Sequence, residues 1–281
     1  MLFNLDFVKE VGAGRYLVRT LRRQFSKRVL RKDQRMRLPT GDTFDLPRTS
    51  QFATEAFITG GDVDWGSEAL LFSLAPRSRA FMDIGANIGY YSHYMRPGVS
   101  NVYAFEPDPR MFELLRKGVI GHANISIFPI AVGNRSGKAR FTMERGGEVS
   151  HLALPTERAR ATIEVDIVTV DSFVANNQIE VGVIKTDVEG FDLEVLQGAR
   201  LTLRTQRPYV LSEIQPSAEL SSLVNDVGYR VCAYLRDVRS RQKSFFILDG
   251  SLPANYAAKM LFLVPTEQVE AVAELATSLQ G

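Results

Sequence analysis

"FMDIGANIGYYS", residues 81–92, decides the fold. An apolar run ends at Asp83, and Gly85 and Gly89 follow at the point where a helical pattern begins. Glycines placed directly after a strand let the backbone approach a ligand closely. In an open α/β sheet the ligand sits at the carboxyl ends of the strands. Working outward, "NVYAFE" (101–106), "NISIFPIAV" (124–132), "VGVIKTDV" (181–188) and "PYVLSEI" (208–214) read as further strands. "DPRMFELLRKG" (108–118) is a helix with Asp108 as N-cap, Pro109 at its first position and Gly118 just past its end. "TVDSFVANN" (169–177) predicts a short helix, and Phe191, Val195, Ala199 and Leu203 predict one side of a longer one. Strands alternating with helices imply parallel pairing in a doubly wound, mostly parallel sheet.

"KARFTME" (138–144) and "ATIEVDIV" (161–168) alternate and predict a β-hairpin inserted into that order. "YRVCAYL" (229–235), "SFFILDG" (244–250) and "KMLFLVP" (259–265) read as late strands, before a terminal helix from Thr266. Upstream, "RMRLPTGDTFDLP" (35–47) predicts a hairpin around Gly41-Asp42, and Ser67 to Leu74 a helix. The expected organisation is a basic arm over 1–37, a hairpin and helix over 38–78, and the α/β domain over 79–281.

Composition sets the frame. The 281 residues are 45% hydrophobic and 23% charged, as in ordinary globular proteins. No apolar stretch approaches the ~18 residues of a membrane span, and the N-terminus lacks the basic-then-apolar layout of a signal peptide. Cys232 is the only cysteine, which leaves no disulfide framework or thiolate metal site and predicts a reducing, cytoplasmic setting. The net charge of +2 conceals an arm (1–37) with 11 Lys or Arg against three acidic residues, or +8, leaving −6 elsewhere. Within the arm Leu17 (or Val18), Leu21, Phe25 and Val29 recur as the apolar face of a basic helix would. One reading is a surface that touches anionic membrane or a polyanion. The other is an arm packed on the domain with its basic face in water. The stripe is narrow and lacks Trp, which favours packing.

A dinucleotide would want Gly-x-Gly-x-x-Gly and no carboxylate beside its pyrophosphate. Here Asn87 stands where the second glycine would be, and Asp83 would repel phosphate. No Gly-Lys-Ser/Thr follows, which excludes a P-loop. S-adenosylmethionine has no phosphate and carries an ammonium group, so Asp83 suits it, with Gly85 allowing close approach. Glu106 ends the second strand, where a carboxylate accepts both ribose hydroxyls in dinucleotide folds. The two signals on consecutive strands predict this cofactor.

The chain also resembles the FkbM-type methyltransferases. "DIGANIGYYS", "AFEPDP", "AVGNRSG", "TVDSF", "IKTDVEGFDLEVLQGA" and "PYVLSEI" follow in the family's order, over roughly residues 55 to 215. The resemblance implies a Rossmann-like class I, S-adenosylmethionine-dependent O-methyltransferase acting on hydroxyls of sugars or of glycosylated and polyketide metabolites. By the same resemblance Asp83, Gly85, Asn87, Gly89 and Glu106 are cofactor residues, Ala131 neighbours the adenine, and Glu68 lies near the methionine end.

On the acceptor side, Asp187 and Glu189 follow the fourth strand. Asp187 is the candidate proton acceptor, and Glu189 would fix a second hydroxyl or share a cation with it. Alternatively Glu189-Gly190 opens the next helix, with the carboxylate favouring its dipole. His151, in "GGEVSHLALP" (146–155), would face the acceptor or sit in solvent at a hairpin tip. Glu213 would line the pocket or end its strand in water. His93 and His122 read as structural, and no His/Asp/Glu cluster has metal-ligand spacing. Competing functions are an NAD-dependent oxidoreductase, opposed by Asp83 and Asn87, and a nucleic-acid methyltransferase or binding protein using the arm. The −6 balance beyond the arm and the single Trp65 oppose the latter. Oligomeric state is left open.

Overall fold

The structure is a computed structural model and describes residues 5–143, 151–152 and 162–280. The chain divides into two compact units, residues 1–63 and 64–281.

In the first unit, helices Leu5–Val11 and Ala13–Phe25 run into a π-helical turn, Ser26–Leu30, which Arg31 ends in the left-handed conformation. Strands Gln34–Arg37 and Thr43–Leu46 pair antiparallel as the expected hairpin, with Gly41 at φ 92°. Helix Phe52–Thr59 completes the unit. The arm packs here through an unexpected face. Tyr16, Thr20, Arg23 and Ser26 are buried, while Leu17, Val18, Leu21, Phe25 and Val29 are exposed. Arg23 is the reason: its guanidinium donates to Leu46 O (3.1 Å), Pro47 O (2.7 Å), Gln34 Oε1 (3.2 Å) and Thr54 Oγ1 (3.3 Å). A guanidinium with four hydrogen bonds tolerates burial, so this face can seat against the hairpin and helix. The expectation of a packed arm with its basic face in water therefore fails on which face is packed.

The second unit is built on a mixed sheet. Its parallel part runs Ile125–Phe128, Val102–Phe105, Ala80–Ile84, Val181–Thr186, Tyr209–Ser212. These are the five core strands, called first to fifth in chain order from Ala80–Ile84. The order reverses between the first and the fourth. Leu261–Pro265 then inserts antiparallel between the fifth strand and Tyr229–Asp237, and Lys243–Leu248 closes the edge. The first and fourth strands are buried at every position, as strands covered on both faces must be. Val170, Val195, Leu196, Leu203, Val224 and Val227 pack with Met82, Ile84, Val181 and Ile184 of these strands in one apolar core.

The inserted hairpin is present: Gly137–Thr142 pairs antiparallel with Thr162–Val168, and Ala131–Val132 and His151–Leu152 extend it into a separate small sheet. Helix Pro109–Gly118 starts as its sequence dictates, Asp108 accepting from Arg110 N at 2.9 Å. Helix Val170–Asn177 has a capping box between Thr169 and Ser172.

One expected element is different. The single helix through Phe191, Val195, Ala199 and Leu203 is two helices, Asp192–Gln197 and Arg200–Gln206. Gly198 sits at the break, where a Cβ would lie 2.1 Å from Gly133 O. Asp171 caps the second helix from elsewhere in the chain, accepting from Leu201 N (3.0 Å), Thr202 N (2.8 Å) and Thr202 Oγ1 (2.7 Å). The apolar spacing is continuous across the break, so periodicity alone hides it.

Candidate active site

The switch point between the first and fourth strands gathers the carboxylates. Asp83 is fully buried at the end of the first strand, and Ser92 Oγ donates to its Oδ2 at 2.6 Å. Its Oδ1 has no hydrogen-bond partner among the described residues and lies 3.9 Å from Lys185 Nζ. Burial raises the Asp83 carboxyl above the ordinary carboxylate range, and Lys185 and Ser92 offset part of that.

Gly85 follows at φ +74°, and a Cβ there would lie 1.9 Å from the main-chain oxygen of Asp187. The close approach that requires glycine is therefore to the end of the fourth strand, so any side chain would disrupt the packing whether or not a ligand is bound. Asn87 adopts the left-handed conformation (φ 51°), which aims its amide at Glu106 Oε2 (2.8 Å). Asn87 Oδ1 is buried with no hydrogen-bond partner among the described residues. Gly89 (φ +89°) precedes helix Tyr90–Met95. A Cβ on Gly89 would meet Leu115 Cδ1 at 2.6 Å.

Glu106 ends the second strand, buried, with Oε1 accepting from Asp108 N and Oε2 from Asn87 N, both at 2.8 Å. Burial pushes its carboxyl up to about 7, and the two amides oppose that shift. Each oxygen takes one main-chain donor and keeps further acceptor capacity. Glu68 is buried on helix Ser67–Leu74 and accepts from Asp64 N (2.9 Å) and Tyr90 OH (3.1 Å). Ala131 is buried in the short strand after the third core strand.

After the fourth strand Asp187 sits beside the first, its backbone amide donating to Ile84 O at 3.1 Å. Lys185 is the group that sequence reasoning passed over. Its ammonium is buried and donates to Asp187 Oδ2 (3.1 Å) and Gly85 O (2.9 Å), and it stands 5.4 Å from the centre of the Tyr91 ring. Burial alone would lower its pKa, but the charges of Asp187 and Asp83 outweigh that and raise it. Burial likewise works against the Asp187 charge, yet Lys185 and a hydrogen bond from Glu213 hold that carboxyl below its usual range. Partial burial and the bond to Asp187 push Glu213 up to about 9, so it is the protonated member of the pair.

Tyr91 OH donates to Asp64 Oδ2 at 2.6 Å, bringing a further carboxyl to the same cluster. A lysine inside the apolar run "VGVIKTD" was the available signal, since a buried ammonium needs acidic partners. Asp64 and Tyr91 carry no comparable mark. Glu189 is exposed, in the left-handed conformation (φ 51°), and the next helix begins only at Asp192. Its carboxylate therefore does not sit in the first turn of that helix. The backbone of His151 pairs with Thr142. Its side chain, and the loop placed around it, lie outside the described residues. His93 and His122 meet edge to face, their rings 5.0 Å apart.

Residues 83–237 match the Methyltransferase FkbM domain, more than half of the chain. The chain belongs to the FkbM methyltransferase family. Among curated relatives, the hexuronic acid methyltransferase AglP of Haloferax volcanii is 26% identical over 151 residues, which is 53% of this chain and 62% of that protein. The chain thus spans less than two thirds of the length of the relative it matches. Among solved structures, the chain is similar to an FkbM methyltransferase from Methylobacillus flagellatus (15% identity, TM-score 0.42, 75% of this chain and 52% of that one). Another is the Pyrococcus abyssi tRNA (uracil-54, C5)-methyltransferase in complex with S-adenosyl-L-homocysteine (12% identity, TM-score 0.42, 83% and 44%). The fold is α/β, with five parallel core strands at the centre of the sheet.

Proposed function

We propose that this FkbM-family chain is an S-adenosylmethionine-dependent O-methyltransferase acting on a hydroxyl of a sugar, glycoconjugate or glycosylated metabolite. One observation carries the cofactor assignment: Glu106 is buried at a strand end with each oxygen on a single backbone amide. That leaves acceptor capacity on both oxygens for the two hydroxyls of a ribose. Asp83 Oδ1 and Asn87 Oδ1, buried acceptors without hydrogen-bond donors among the described residues, fit a cationic or hydroxyl-bearing ligand and not a pyrophosphate. Gly89 gives the turn its left-handed geometry, and Ala131 and Glu68 are assigned to the adenine and methionine ends.

When bound, the cofactor supplies a methyl group activated by a sulfonium. The chain's own part is to orient the acceptor and receive its proton. Lys185 and protonated Glu213 both donate to Asp187, which keeps that carboxylate ionised and fixed. Its low basicity suits a late transfer: Asp187 holds the hydroxyl and takes the proton once the new C–O bond has made it acidic. Glu189 is assigned to a neighbouring hydroxyl.

AglP is named for a hexuronic acid, which supports a sugar acceptor here. Such an acid offers a hydroxyl and a carboxyl oxygen. Asp187 favours the hydroxyl, since a carboxylate has no proton to give and would be repelled.

Two measurements test this. Calorimetry should show binding of S-adenosylhomocysteine and none of NAD, with Glu106→Ala weakening it by ~2–3 kcal/mol in a folded variant. Unchanged affinity in Glu106→Ala would remove the ribose assignment. Methylation of uronic-acid saccharides and their carboxyl-reduced analogues should yield alkali-stable ethers from both. An alkali-labile ester formed only from the acid would overturn the hydroxyl assignment.

A further inference from the structure

We infer that the helical arm Ala13–Leu30 docks on an anionic lipid surface through the face it leaves in water. Leu17, Val18, Leu21, Phe25, Val29 and Leu30 are each 51–64% exposed. The face turned inward holds Tyr16, Thr20, Arg23 and Ser26. An amphipathic helix stabilised only by its own domain would show the reverse. The inversion persists because Arg23 donates to Leu46 O, Pro47 O, Gln34 and Thr54, and Arg19 donates to Ile58 O at 2.7 Å. The helix is therefore anchored by polar groups, and its apolar stripe stays outward on a preformed element.

Charge selects the occupant. Arg15, Arg22, Arg28, Arg31 and Lys32 are exposed on the same helical stretch or directly after it, and the sequence has no acidic residue from Val11 to Lys32. An apolar centre with cationic margins is the composition of a helix lying in a lipid interface, with apolar side chains among the acyl chains and cations at the headgroups. A nucleic acid would use the cations but not the aliphatic stripe, in which Phe25 is the one aromatic able to stack on a base. A second copy of the chain would bring two sets of these cations together. No helix among the described residues is long and apolar enough to cross a membrane, so the contact is with the surface.

The test is co-sedimentation of the full chain with vesicles of phosphatidylcholine alone or mixed equally with phosphatidylglycerol. The protein should partition onto the mixed vesicles and remain free with the neutral ones, and added salt should release it. Each of Arg22→Gln and Arg28→Gln should lower partition about fivefold. Leu21→Gln/Phe25→Gln should lower it ~tenfold or more with circular dichroism unchanged, because both side chains are already in water. Equal binding to both vesicle types, or binding retained by the double variant, would overturn the proposal. So would tighter binding to nucleic acid than to the mixed vesicles, or a dimer in lipid-free solution that the double variant abolishes.

Discussion

Asp187 shows how little of a residue's chemistry follows from its type. In isolation it is a carboxylate after a strand. In place it is held by Lys185 at 3.1 Å and by Glu213, which sets it as an ionised acceptor of low basicity. Asp187→Asn keeps the shape but removes the charge that, in the proposed role, receives the proton. Turnover with the true acceptor should fall ~10²-fold or more while cofactor affinity stays unchanged. Single-turnover kinetics beside calorimetry would measure this, and a rise in KM with kcat preserved would reduce Asp187 to positioning. The same reasoning revises Gly85. Its lack of a side chain reads as room for a ligand, yet the first atom a Cβ would strike is Asp187 O. A close approach is visible in the sequence; its partner is not.

At the scale of elements, local signals and long-range ones divide cleanly. The Thr169/Ser172 box is a local signal; Asp108-Pro109 at the start of helix Pro109–Gly118 is equally local and was readable. The break at Gly198 was not, because it depends on Gly133 O from a distant loop and on the Asp171 side chain capping Arg200–Gln206. Asp171→Ala would leave that helix start without its acceptor. Global stability should drop by about 1–2 kcal/mol in urea denaturation, with hydrogen exchange speeding first at Leu201 and Thr202. Unchanged exchange at those amides would show that the cap is dispensable.

The whole molecule concentrates buried acids at the carboxyl ends of its central strands, and this couples folding to pH. Glu106 titrates near 7 when folded and near 4.5 when unfolded, so between these values the folded chain holds a proton that the unfolded chain has lost. Stability from this group is therefore fully present below about pH 4.5 and is lost as pH rises through 7, on the order of 3 kcal/mol in all. Glu213, raised to about 9, acts in the same direction over a higher window, but solvent at this exposed residue screens its effect. Urea midpoints of the ligand-free protein at pH 5.5 and 8 should show the fall, and Glu106→Gln should flatten the part below pH 7. A variant with the wild-type slope would place the pH dependence elsewhere.

By itself the sequence determined the doubly wound sheet, the hairpin inserted into it, and the placing of Asp83 and Glu106 at the ends of adjacent strands, where the register sets Asp83 beside Ala104 and Ile84 beside Phe105. These follow from periodicity, capping residues and strand order, all properties of short segments. Only the tertiary structure decided that Lys185 and Glu213 govern Asp187, that a longer helix breaks at Gly198, and that Arg23 is buried while Leu21 and Phe25 face water. Each of these depends on a hydrogen bond, ion pair or steric contact between residues distant in the chain or on neighbouring strands. The free energy of a buried charge is set by those partners and not by the residue that carries it.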